Sequence, residues 1–182
     1  EVGWTAARVR LLVDPTRDND PGTCQDLEYV KQLGRRIKEA GMQFLLDIFY
    51  SDTWTDPAQQ WIPQSWNMDK GTATNVLADK VREYTIESIN ELVEAGASPD
   101  YVQIGNEVSY GMLWDNLSAK DESRHVVYLD PKWFTYEKQE AQIVRLASLL
   151  GAAAEGVRAS DAKDARIILH IERSGEPEWA RN

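Results

Sequence analysis

Tyr101-Val102-Gln103-Ile104-Gly105-Asn106-Glu107 is a mostly apolar run that closes on three polar or flexible residues. A short apolar run bounded by turn-forming residues predicts a buried strand, and Gly-Asn-Glu marks where that strand gives way to a loop. Outward from it, three more runs have the same character: Ala7 to Val13, Gln43 to Tyr50 and Arg166 to Ile171. Between them lie segments of helical period. Leu27, Val30, Leu33 and Ile37 lead to Gly41, and Val81, Tyr84, Ile89, Leu92 and Val93 lead to Gly96. Ile143, Leu146, Leu150 and Val157 form the third. Strands alternating with helices predict consecutive βα units and a parallel sheet.

The connections are asymmetric. Strand-to-helix segments are long and polar or aromatic, as in Asp14 to Gly22 and Ser51 to about Gly71, while the returns Ala40-Gly41-Met42 and Gly96-Ala97-Ser98-Pro99 are short. A (β/α) barrel shows this asymmetry, because its site is built from loops at the C-terminal ends of the strands. A doubly wound sheet is the rival, but no glycine-rich phosphate loop follows the first strand. The reading is an α/β chain whose residues 1–182 form one piece of a single barrel domain, without internal repeat, linker or low-complexity stretch.

With 20 basic side chains against 30 acidic ones, the net charge of −10 argues against nucleic acid or an anionic membrane, either of which needs clustered Lys and Arg. A neutral partner fits better. Cys24 has no second cysteine to pair with, and no apolar run approaches the length of a membrane span. Glu1-Val2-Gly3-Trp4 reads as an internal start without signal-peptide character, so any export signal is expected upstream.

On a strand end, the carboxyl of Glu107 is carried to the mouth of the barrel on a rigid support. A retaining cleavage of a glycosidic bond needs two carboxyl groups roughly 5 to 5.5 Å apart, and Glu107 qualifies as one of them. Asn106 beside it is a candidate donor or acceptor for a sugar hydroxyl. The plainer alternative is that Asn-Glu only caps the following helix. Asp47-Ile48-Phe49-Tyr50-Ser51-Asp52-Thr53-Trp54 interleaves carboxylates with aromatics, which suits a sugar's hydroxyls and C–H face. Trp54 is the stacking candidate, with Asp52 and Trp114 as further binding residues; Trp61 and Trp66 read as rim packing. Arg8 and Arg10 share one face of the first strand. Arg10 is expected near the mouth, either orienting carboxylates or paired with Asp47. His170 is expected to reach the site and His125 to be solvated. No His or Cys spacing suggests a metal site, and no nucleophile-elbow serine is present.

These segments resemble a particular family. Arg8-Val9-Arg10, Ala40-Gly41-Met42, Tyr50-Ser51-Asp52-Thr53-Trp54 with Asp56-Pro57, Pro99 through Glu107, and Gly111-Met112-Leu113-Trp114 are together similar to the family 53 glycoside hydrolases. That family comprises endo-β-1,4-galactanases acting on galactan or arabinogalactan side chains of pectin, and the resemblance spans nearly the whole chain. It implies a partial (β/α)8 TIM barrel, strands two to five, with Glu107 as acid/base. The family's nucleophile, a Glu at the end of the seventh strand, would lie outside this chain, and Glu172 is not its substitute. Phe49 departs from the family's usual His. The resemblance further implies a β-1,4-galactan partner met in an extracellular or periplasmic compartment, no cofactor, and no metal in this segment, because the family's calcium belongs to later loops. A whole barrel takes about 250 residues, so the isolated segment is expected to be inactive. The alternatives are a non-catalytic carbohydrate-binding relative and another retaining barrel glycosidase.

Overall fold

The computed structural model describes residues 3–15, 23–57, 59–68, 72–114 and 136–171, with side chains at all of these except 110 and 136–142. His125 and Glu172 lie outside the described residues. In chain order the elements are β1 (Ala6–Leu11), α1 (Leu27–Glu39), β2 (Gln43–Ile48), α2 (Thr74–Glu94), β3 (Tyr101–Ile104), α3 (Tyr136–Ala159) and β4 (Arg166–Ile168), with single 3-10 turns at Gln64–Trp66 and Val108–Tyr110. The four strands form one sheet in the order β1-β2-β3-β4, and all three pairings are parallel. The expected βα architecture is therefore present, as an arc of barrel with its strands in sequence order.

The helices start and stop where local chemistry directs. Asp26 caps α1 by accepting a 2.8 Å hydrogen bond from the Tyr29 amide. Val30, Gly34 and Ile37 recur on its buried face, flanked by the partly buried Leu27 and Leu33. Gly34 is required there by proximity, since a Cβ would stand 2.8 Å from both Phe44 and Ala97. Gly41 and Gly96, at φ +71° and +75°, end α1 and α2 in the left-handed conformation that glycine adopts without penalty.

Register divides the sheet into two unlike faces. Val9, Leu11, Phe44, Leu46, Ile48, Val102 and Ile104 are buried in the core beneath the helices. The alternate positions carry Arg8, Arg10, Asp47 and Gln103, and Arg10, Asp47 and Gln103 stand level with one another across β1, β2 and β3. The sheet thus presents a charged row on the face away from its helices. The strands end earlier than expected, at Leu11, Ile48, Ile104 and Ile168 rather than Val13, Tyr50, Glu107 and Ile171. Tyr50 and Glu107 turn out of the sheet at φ +53° and +51°, a region costly for side chains with a Cβ.

Candidate active site

Glu107 follows β3 by three residues and holds φ +51°, ψ +46°, immediately before the turn Val108–Tyr110. Its side chain does not cap that turn. Among the described residues its carboxylate has neither a hydrogen bond nor an ion pair, although the side chain is only partly exposed. The capping alternative is thereby excluded, and a strained backbone carries an uncommitted acid at the strand end. Gly105 makes the turn possible: its φ is +86°, and a Cβ there would fall 2.7 Å from Val108 Cγ1. The peptides on either side are pinned. Gln60 Nε2 donates to the Asn106 carbonyl at 2.7 Å, and the Val108 amide donates to the His170 carbonyl at 3.1 Å.

Asn106 is buried, and its carboxamide is bonded on both sides. Oδ1 accepts from Arg8 Nη2 at 2.8 Å, and Nδ2 donates to the Thr55 carbonyl at 2.8 Å. A guanidinium only donates and a carbonyl only accepts, so the two ends of the amide are assigned without ambiguity. His170 Nδ1 lies 2.8 Å from the same Oδ1 and must therefore carry the proton, leaving the Nε2 lone pair free for another donor. Partial burial and the nearby Arg8 charge lower the His170 pKa against an opposing pull from Glu107, which favours the neutral ring.

The arginine that meets Asp47 is Arg8, not Arg10. Arg8 Nη2 stands 2.7 Å from Asp47 Oδ2, while Arg10 spreads over the Trp54 ring with Cζ 4.9 Å from its centroid. Level with Asp47 in the register, Arg10 is directed outward to the aromatic loop, whereas Arg8, two pairs lower, leans along the strand to reach the carboxylate. Trp54 is 38% exposed and meets the edge of Phe49 at a centroid separation of 5.8 Å. Guanidinium on the ring and Phe49 at its side fix Trp54 as an open aromatic platform.

Asp52 and Trp114 are buried. Asp52 Oδ2 accepts from the Gln64 amide at 2.9 Å, and burial pushes its carboxyl pKa up against that hydrogen bond. Trp114 packs edge-to-face on Trp61 at 5.7 Å and pairs through its carbonyl with the Ile62 amide. Among the described residues its Nε1–H is buried without a partner, as is Thr55 Oγ1. Trp66 packs on Tyr84 at 5.8 Å, the rim packing expected of it.

Glu107, Asn106, His170, Arg8, Asp47 and Gln103 thus form one connected cluster, and Arg10 with Trp54 forms a second group beside it. Gln103 and Gln60 escaped the sequence reading. Gln103 left a signal, as a polar side chain at an alternate position of an apolar strand; Gln60, in an irregular loop, left none. No group of three or more His, Cys, Asp or Glu among the described residues is arranged to hold a metal ion.

Known proteins resemble this chain in sequence and fold. An arabinogalactan endo-β-1,4-galactanase of Cellvibrio japonicus is 34% identical over 180 residues, 97% of this chain and 42% of that protein. Another from Humicola insolens is 41% identical over 114 residues, 63% of this chain and 32% of the relative. A solved fungal β-1,4-galactanase superimposes with a TM-score of 0.72 at 31% identity, covering 96% of this chain and 44% of that one. The chain therefore spans less than half the length of these relatives. The model of "Glycosyl hydrolase family 53" matches residues 1–181, and the chain belongs to that family.

Proposed function

We propose that the protein to which these residues belong is an endo-acting, retaining hydrolase of β-1,4-galactosidic bonds in galactan or arabinogalactan, with Glu107 as acid/base. The observation that carries this reading is the uncommitted Glu107 carboxylate, set at a strand end by a strained backbone and a bonded Asn106. In a retaining mechanism that carboxyl protonates the leaving oxygen and then activates water, while a second carboxylate attacks the anomeric carbon. The second carboxylate would come from residues outside this chain. Residues 1–182 would supply three consecutive βα units and a fourth strand, strands two to five of one catalytic barrel domain. Exposed apolar side chains support a larger surrounding structure: Trp4 before β1 is 77% exposed, Ile143 and Val144 on α3 are 57% and 63%, and Leu169 after β4 is 52%.

Trp54 would take the C–H face of a galactosyl ring, with Arg10 holding the indole from one side. His170 Nε2 would accept from a sugar hydroxyl, and the second Nδ2 hydrogen of Asn106 would donate to one. Asp52 and Trp114 would shape the wall of the cleft, the unpaired Trp114 indole N–H facing whatever acceptor enters. No helix among the described residues is long and apolar enough to cross a membrane. A pectic polysaccharide is met outside the cytoplasm, which favours an exported enzyme. Residues 1–182 alone would have negligible activity, because one carboxyl cannot complete the double displacement and an open arc leaves sheet edges unpaired.

The test is hydrolysis of β-1,4-galactan by the full-length gene product, with Glu107→Gln alongside and product anomers followed by NMR. Retention in the wild type and a loss of about 10²- to 10⁴-fold in the variant are expected. Absence of galactan cleavage in the wild type would refute the substrate and favour a carbohydrate-binding role.

A further inference from the structure

The geometry points to Asp47 as a positioning residue for the acid/base, acting through Arg8 and Asn106; this rests on the reading of Glu107 above. Asp47 lies on β2 and is 0% exposed. Burying a carboxylate costs several kcal/mol unless it is paired, and filling space is done as well by an apolar residue. Its two oxygens serve two routes to the same place. Oδ2 faces Arg8 Nη2 at 2.7 Å, and that same nitrogen donates to Asn106 Oδ1 at 2.8 Å. Oδ1 accepts from Gln103 Nε2 at 2.6 Å, and the second hydrogen of that amide goes to the Gly105 carbonyl at 2.9 Å. One carboxylate therefore fixes both the side chain and the backbone immediately before Glu107.

Arg8 is the weak link without it. Its side chain is 44% exposed, so a guanidinium released from Asp47 has water available and no other anion within ion-pair distance among the described residues. Asn106 would then keep Thr55 and His170 but lose the charged one of the two close donors to its oxygen. A displacement of about 1 Å at a reacting group is enough to cost on the order of 10²-fold in rate.

The experiment uses Asp47→Asn in the full-length protein. Asparagine keeps an oxygen for Gln103 but turns an NH2 group toward Arg8, donor against donor, and so breaks one link while preserving volume. We expect kcat on β-1,4-galactan to fall about 10- to 100-fold with KM changed by less than about threefold, and the unfolding midpoint at about pH 4, where Asp47 is protonated and isosteric with Asn, to stay close to wild type. On an aryl β-1,4-galactobioside with a good leaving group, whose departure needs no proton from Glu107, the defect in the first step should shrink severalfold. Arg8→Met, which breaks the link from its exposed end, should show the same division between substrates. Wild-type kcat in Asp47→Asn, or an equal loss on both substrates, would overturn the assignment. A crystal structure of the variant decides the matter even where wild type cleaves no galactan: Arg8 Nη2 still within hydrogen-bond distance of Asn106 Oδ1 sinks the positioning role, whereas their separation supports it independently of the acid/base reading.

Discussion

Tyr50 donates a 2.8 Å hydrogen bond from its buried hydroxyl to Thr85 Oγ1, tying the left-handed residue two positions past β2 to the middle of α2. Thr85 Oγ1 donates in turn to the Val81 carbonyl at 2.7 Å, which fixes the direction of the pair. The two substitutions that break it are unequal. Tyr50→Phe removes a donor and leaves Thr85 its own acceptor, for a cost of about 1 kcal/mol. Thr85→Val strands the phenol in a buried site and should cost about 1 to 3 kcal/mol. Urea unfolding of both variants checks the order, and a larger loss for Tyr50→Phe would contradict the assigned direction.

Gly156 and Gly151 sit on the same helix in opposite circumstances. A Cβ at Gly156 would stand 2.8 Å from Thr85 Cβ and 2.9 Å from the Arg82 carbonyl oxygen, where α2 and α3 pack. Gly156→Ala should destabilise by about 1 to 3 kcal/mol, through overpacking against backbone that cannot move aside. At Gly151 nothing lies within 4 Å, so Gly151→Ala should stabilise by up to about 1 kcal/mol through helix propensity. Thermal denaturation of the pair should move Tm in opposite directions.

The glycine at the strand end carries function rather than stability alone. Gly105→Ala would place a methyl 2.7 Å from Val108 Cγ1 at φ +86°, so both the clash and the positive φ strain the backbone that leads to Glu107. In the full-length protein we expect kcat on galactan to fall more than about tenfold, in line with the sensitivity of catalysis to ångström-scale misplacement. Gly111→Ala is the comparison, also at positive φ but with its contact on the Trp114 ring at 3.2 Å. Equal activity losses in the two would show that the effect is general backbone strain.

What the sequence made legible follows from how local each feature is. β3 is readable because Val102 and Ile104 recur beside the breaker Gly105, but its end at Ile104 is not, because nothing local in Asn106-Glu107 marks the positive φ of Glu107 that follows that of Gly105. Period two placed Arg8 and Arg10 on one face. Which of them meets Asp47 depends on strand register and side-chain reach, and both are set by tertiary packing. Gln103 was visible as a polar intrusion, yet its bond to Asp47 needed the β2–β3 alignment. Trp114 read as a loop aromatic, and only the bridge between residues 61 and 114 explains its burial.

Asp47 also gives the chain a signed pH dependence. Burial pushes its pKa from 3.8 to about 7, against the opposing charges of Arg8 and Arg10 and the hydrogen bond from Gln103. Between these values the folded protein holds a proton that the unfolded chain has released, so stability falls as pH rises. Asp47 contributes stability that is fully present below about pH 4 and lost as pH passes through about 7. Asp47→Asn should flatten the unfolding free energy across that window, measured by urea titration at successive pH values. Activity runs the other way, because the grip on Arg8 needs the carboxylate. In the full-length enzyme the ratio of wild-type to Asp47→Asn kcat should therefore widen as pH rises toward 7, while their difference in stability moves against the wild type. A ratio independent of pH would mean that the charge of Asp47 has no part in holding Arg8.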